Sequence, residues 1–249
     1  MKKIGIVGGV GWASTVEYYT GICRLAEARP SVGHPGGTSS TPEMTIESLD
    51  LARAVSFLGT DGDEGSWSRF DGYHHVALRR LEASGAECAL LASNTPHHRF
   101  AEIVRGIGIP VLDLFEIVAR ECARLGAREA LVLGAGLTMR STRLREAFAR
   151  NGVAAAGPTD ESARSSTIGL IGQLQRGAPE DAAARLGAIA RSWLAQRPFA
   201  ESLVCLACTE LPLAFPAQKA LPVFEVAGVT YLNTTALHVA AAVEFAVGE

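Results

Sequence analysis

The chain has almost no charge excess. Its 249 residues carry 23 Lys and Arg against 26 Asp and Glu, a formal net charge of -3, with the two signs interspersed. That balance offers no basic surface, so neither nucleic acid nor an anionic membrane is an expected partner. No stretch approaches the roughly eighteen uninterrupted apolar residues of a membrane span. The opening Met1-Lys2-Lys3-Ile4-Gly5-Ile6-Val7-Gly8 has lysines ahead of an apolar run, as a signal peptide does. Glycines break that run too early for such a segment, and it reads as a first strand. Cysteines are few and odd in number: Cys23, Cys88, Cys122, Cys205 and Cys208. Their irregular spacing in a long chain argues against a disulfide framework and for free thiols in a reducing cytoplasm. Cys23, Cys88 and Cys122 lie in apolar or helical surroundings and read as inert small hydrophobes.

Two familiar motifs are also missing. Cys205-Leu-Ala-Cys208 lacks the two further ligands that zinc needs, and it lies in a strand rather than at a helix start, where a thioredoxin-like pair belongs. Spacing of three along a strand points the two thiols to opposite faces, so Cys205 is expected in the core and Cys208 at a strand end. Gly8-Gly9-Val10-Gly11-Trp12-Ala13-Ser14-Thr15 has Ser14 where a dinucleotide fingerprint needs its third glycine, and no acidic residue closes a second strand about twenty positions on. A turn whose backbone N–H groups hold an anion fits better, with Ser14 or Thr15 adding a hydroxyl.

What is present is a regular alternation. Residues 48% hydrophobic supply a substantial core for one large domain or two small ones. Strands are expected at residues 3–8, 44–48, 88–92, 109–111, 130–134, 153–156 and 203–207. Helices are expected at 14–29, 49–58, 70–84, 96–106, 114–125, 142–151, 162–176, 179–196 and 230–247. Residues 30–42 and 59–65, rich in Gly, Pro and polar residues, read as loops. Alternation of this kind implies an α/β fold of mostly parallel sheets flanked by helices. Ile4-Gly5-Ile6-Val7-Gly8-Gly9 echoes Ala130-Leu131-Val132-Leu133-Gly134-Ala135, so the chain reads as two pseudo-symmetric lobes. The expected division is 1–105 plus 214–249 against 106–213, with the last helix returning to the first lobe and the site in the cleft between them.

A second echo carries the chemistry. Ala89-Leu90-Leu91-Ala92-Ser93-Asn94-Thr95-Pro96-His97 and Leu203-Val204-Cys205-Leu206-Ala207-Cys208-Thr209-Glu210-Leu211-Pro212 are both apolar runs that stop at a small reactive residue followed by a polar turn. One offers a hydroxyl, Ser93; the other a thiol, Cys208. Two such ends facing one carbon suit proton transfer on both of its faces. His97 is a candidate relay to Ser93. Arg164, in Thr159-Asp160-Glu161-Ser162-Ala163-Arg164, is a candidate cation for a substrate carboxylate.

These segments resemble the aspartate/glutamate racemase superfamily along nearly the whole chain. Ser93-Asn94-Thr95-Pro96-His97 is similar to the family's first catalytic segment, Cys-Asn-Thr-x-His, except at its first residue, and Cys208-Thr209-Glu210-Leu211-Pro212 matches the second. The chain around Trp12, Ser14-Thr15, Ser48 and Asp50 resembles the L-aspartate/glutamate-specific subgroup, in which some members pair Thr with Cys. The resemblance implies an enzyme without cofactor or metal. It is usually a homodimer and acts on a small dicarboxylate or amino acid through one acid–base residue from each lobe, here Cys208 and Ser93. It further implies substrate contacts from Gly11, Thr15, Ser48, Asn94, Thr95, Thr138, Arg164, Thr209 and Glu210. Arylmalonate decarboxylases also keep only the second Cys, with Gly at the first position. A single-thiol decarboxylase of a disubstituted malonate is therefore the alternative, followed by an inactive binding protein on the same scaffold.

Overall fold

A computed structural model describes residues 1–29, 41–177, 179–198 and 201–248. Most of the loop expected at 30–42 lies outside the described residues. The chain divides into two units, Met1–Asp113 with Val239–Glu249, and Leu114–His238.

In the first unit, β1 (Ile4–Gly8), β2 (Met44–Ser48) and β3 (Cys88–Leu91) form a parallel sheet of order β2-β1-β3. β1 and β3 are buried along their whole length, as strands covered on both faces are, and they read in sequence as unbroken apolar runs. Helix α1 (Trp12–Glu27) buries Ser14, Tyr18, Ile22 and Ala26, one residue per turn on one face. It shares a core with Ile4, Ile6, Cys88 and Leu90, and with Val239, Ala242, Val243 and Ala246 from the end of the chain. Helices α2 (Leu51–Ser56), α3 (Ser68–Ala83) and α4 (Phe100–Ile103) complete the unit. Asp50 caps α2, its carboxylate accepting from the Arg53 N–H at 2.6 Å. Residues 96–106 are not one helix: a 3-10 turn, Thr95–Arg99, precedes α4. Residues 109–111 give only a parallel bridge, Ala89 to Val111, rather than a strand.

The second unit holds α5 (Leu114–Arg124), β4 (Glu129–Gly134), α6 (Gly136–Arg140), α7 (Thr142–Arg150), β5 (Ala154–Ala156), α8 (Glu161–Leu174), α9 (Ala182–Leu194), β6 (Ser202–Ala207), β7 (Val223–Val226) and β8 (Val229–Asn233). Its sheet has the order β5-β4-β6-β8-β7, all parallel except β7, which runs antiparallel to β8. The segment β5-β4-β6 repeats the β2-β1-β3 order of the first sheet. Leu114, Phe115, Val118, Ala119 and Cys122 of α5 pack with Leu144, Ala147 and Phe148 of α7 against Ala130 and Val132 on one sheet face. Leu170, Leu174, Leu186 and Ala190 cover Leu131, Leu133, Val204 and Leu206 on the other. Each Leu, Val or Phe among them contributes about 1.5–3 kcal/mol when removed from water.

Helix α10 is Thr234–Val247; residues 230–233, expected as its first turn, belong to β8. The division also differs from the one expected at residues 105 and 213. The Ala89–Val111 bridge holds 106–113 to the first sheet, and the pairing of β8 with β6 holds 214–238 to the second.

Candidate active site

In parallel α/β sheets the carboxyl edge is where chain reversals gather loop amides, and there the candidate residues collect. In the first unit β1 and β2 end together, Gly8 opposite Ser48, and β3 continues alongside through the Ala92 N–H to Val7 carbonyl bond of 2.9 Å. The loop after β1 depends on Gly9: at φ 83° it is left-handed, and a Cβ there would meet the Leu49 carbonyl oxygen at 2.1 Å. Gly11, also left-handed, precedes α1. The Thr15 hydroxyl oxygen accepts from the Gly9 N–H at 2.8 Å, so Thr15 shapes this loop while its O–H stays available to donate.

Beyond β3, Ser93 and Thr95 are half-buried and Asn94 is buried. Both amide atoms of Asn94 lack a hydrogen-bond partner. A buried unpaired polar group costs about 1–3 kcal/mol, so two on one side chain mark a place prepared for something else. His97 is fully buried and stacks on Phe100 with ring centroids 5.5 Å apart. Its Nε2 lies 3.4 Å from the Leu91 carbonyl oxygen and its Nδ1 3.6 Å from Asp113. The Leu91 contact occupies Nε2, while the Nδ1–Asp113 distance is longer than a hydrogen bond. Arg99 ties the 3-10 turn to α3 through Asp71 at 2.9 Å, which fixes the segment carrying Asn94 and Thr95. A surface cavity of about 410 Å³ beside Ser48 is lined by Arg53, Arg69, Arg80, Phe57 and Tyr73, but not by the loops after β1 and β3.

In the second unit β4 and β6 end together, Gly134 opposite Ala207. Only glycine permits this approach, since a Cβ at Gly134 would lie 2.5 Å from the Ala207 carbonyl oxygen and 3.4 Å from Thr138. Thr138, on the single-turn helix α6, is buried with its hydroxyl unpartnered. Cys208, one residue past β6, is half-buried, and its thiol donates to the Glu210 carboxylate at 2.9 Å. The Thr209 hydroxyl donates to the same oxygen at 2.9 Å. Glu210 is buried, and its other oxygen accepts from the Gln175 amide at 3.2 Å. Glu210 therefore meets the thiol, Thr209 and Gln175 at once.

Burial and the negative charge of Glu210 push the Cys208 thiol well above the usual range. The backbone N–H groups of Glu210 and Thr209 pull the other way but are outweighed. The resting residue is thus a protonated thiol with a carboxylate in contact. Cys205, the other half of the C-x-x-C, is in the core with its sulfur 3.8 Å from that of Cys122, which separates it from Cys208 in role. Arg164 is folded back on Glu161 at 2.6 Å and the Pro158 carbonyl at 2.8 Å. An exposed ion pair of that kind is worth about 0–1 kcal/mol, so it holds the guanidinium only weakly. Two buried polar residues with an unpartnered group lay outside the sequence analysis: His74 in α3, through its Nε2, and Thr235, which follows β8, the strand next to β6.

A family model described as Asp/Glu/hydantoin racemase matches residues 7–242. The chain belongs to that family. Among solved structures, a candidate Asp/Glu racemase from Yersinia pestis is 24% identical with a TM-score of 0.81, covering 99% of this chain and 100% of that one. An aspartate racemase homologue from Pyrococcus horikoshii is 25% identical with a TM-score of 0.78, covering 99% and 100%. The aspartate racemase of Picrophilus torridus is 17% identical, with a TM-score of 0.71 over 99% and 95%, a likeness of fold. No helix among the described residues is long and apolar enough to cross a membrane.

Proposed function

We propose that the protein is a cofactor-independent racemase or epimerase acting at the α-carbon of an acidic amino acid. The observation that supports this best is the contact between the Cys208 thiol and the buried Glu210 carboxylate. A thiol of raised pKa is a poor base alone. With Glu210 in contact, its proton passes to the carboxylate as the sulfur takes the α-proton, so no free thiolate has to persist in a buried place. In reverse, the S–H delivers a proton to the carbanion and Glu210 returns one to sulfur. Ser93, or a water that it holds, serves the opposite face and gives or takes the compensating proton.

Charge develops on the substrate carboxylate as the α-proton leaves, so donors fixed in advance lower the barrier. Asn94 and Thr138, buried and unpartnered, suit that task. Thr95, the loop around Gly11 and Ser48 supply further donors, and Arg164 takes the distal carboxylate. The active form is read as a homodimer, which sedimentation velocity tests.

One observation favours a second reading. A resting protonated thiol with no second thiol at the Ser93 position suits protonation of one face only, as in decarboxylation of a disubstituted malonate. Chiral chromatography of L- and D-aspartate and L- and D-glutamate after incubation, beside carbon dioxide release from phenylmalonate, separates the two. Interconversion of enantiomers supports the racemase; carbon dioxide release without it overturns that assignment in favour of the decarboxylase.

A further inference from the structure

We infer that Gln175 is a positioning residue for proton transfer, its amide holding the Glu210 carboxylate so that the other oxygen meets the Cys208 thiol. The inference rests on Cys208 and Glu210 being the acid–base pair. A carboxylate has two oxygens, and here they have separate duties. Oε2 accepts from Cys208 and Thr209, both at 2.9 Å, and Oε1 accepts from Gln175 Nε2 at 3.2 Å. The last torsion of a carboxylate is broad, so a bond to each oxygen restricts it more than bonds to one oxygen alone. Engaging Oε1 therefore narrows the direction in which Oε2 faces.

The placement of Gln175 suits this duty. It closes α8, immediately after the buried Leu174, where the helix packs on the 3-10 turn Leu211–Ala214 that follows Glu210. The side chain reaches inward from an exposed position, so it contributes little to the core. It also donates to an anion, and such charge-assisted bonds are about twice as strong as neutral ones. Among the charged neighbours, Arg176 lies along α8 near Gly172, and Arg185 of α9 bonds Gln173 at 2.7 Å and lies 3.9 Å from Asp181. Glu210 is the charged group whose field acts on the Cys208 thiol.

Removing the amide while keeping the length of the side chain, as in Gln175→Met, releases Oε1, so that Oε2, still bonded to Thr209, is held less firmly against the thiol. A looser contact relieves the penalty on the thiolate. The test is alkylation of Cys208 by iodoacetamide from pH 6 to 10, with each cysteine quantified by mass spectrometry, in the full chain without substrate. Gln175→Met is expected to raise the rate at Cys208 roughly tenfold at pH 8, the effect of about one pKa unit. Gln175→Asn, too short to reach, should behave the same way. Turnover should lose kcat by about the same factor with KM unchanged, because Gln175 touches no substrate. Alkylation profiles of both variants that coincide with wild type would overturn the inference. A shifted profile in a protein that interconverts no amino acid would uphold Gln175 and sink the racemase reading instead.

Discussion

The ends of β3 and β6 are the same construction with different contents. Each strand pairs with the first strand of its sheet, and each is buried throughout. Each leads, within a few residues, into a 3-10 turn with proline at its start, Pro96 in one and Pro212 in the other. After β6, the reactive residue has a built-in proton acceptor, since Glu210 accepts from Cys208 and is itself held by Gln175. After β3, Ser93 has no such partner among the described residues: the neighbouring Asn94 is buried and unpaired, and His97 lies beside Leu91 and Asp113. The backbone repeat thus carries one end where the reactive residue meets a buried carboxylate and one end where a buried amide is left unpaired.

The comparison is broken most severely at the thiol. Cys208→Ala should reduce turnover by about 10²–10⁴-fold, the usual contribution of a positioned acid–base group, while circular dichroism stays as in wild type. Turnover within tenfold of wild type would remove Cys208 from the mechanism.

Glu210→Gln should reduce kcat by roughly 10²-fold yet make the thiol more reactive. Burial and the Glu210 charge hold the thiol protonated, so losing that charge lowers its pKa, and iodoacetamide should label Cys208 faster at pH 8. The sign for stability follows. The unfolded thiol ionises near its reference value of about 8.5, below the folded one, so this contribution is intact at lower pH and fades as pH rises through that value. Urea unfolding from pH 7 to 10 should show a shallower alkaline decline in Cys208→Ala than in wild type.

Asn94→Leu sharpens the contrast from the other side. It removes two unpaired polar atoms at similar volume, so the protein should gain about 1 kcal/mol or more against urea while activity falls. A loss of stability would mean that Asn94 is a structural residue. Ser93→Cys gives the smallest and most informative change, a roughly tenfold rise in the rate of reversible racemisation. No change in a folded variant would take Ser93 out of the proton-transfer role.

Much of this was legible in sequence because parallel strands are continuous apolar runs and most helices carry a periodic face. The candidate residues at the ends of β3 and β6 were found through their mutual echo and placed at carboxyl edges accordingly. What was missed has local causes. The hairpin β7–β8 turns at Ala227 and Gly228, both at positive φ (50° and 78°), and alanine there gives no turn signal. β8 then runs into α10 without a breaker, its Asn233 side chain accepting from the Ala236 N–H at 3.2 Å, so strand and helix read as one apolar segment. The duty of Glu210 was hidden for another reason. Residue identity at Cys-Thr-Glu shows that a carboxylate is near the thiol, but only folded geometry shows it buried and in contact with that thiol.

The central claim is α-proton chemistry that depends on Cys208. The most direct measurement is proton NMR of the purified protein in D2O with L- and D-aspartate and L- and D-glutamate, one at a time, beside Cys208→Ala. The account predicts loss of the α-proton signal of an acidic amino acid in wild type and none in the variant. An undiminished signal across all four amino acids, or equal exchange in Cys208→Ala, would contradict it.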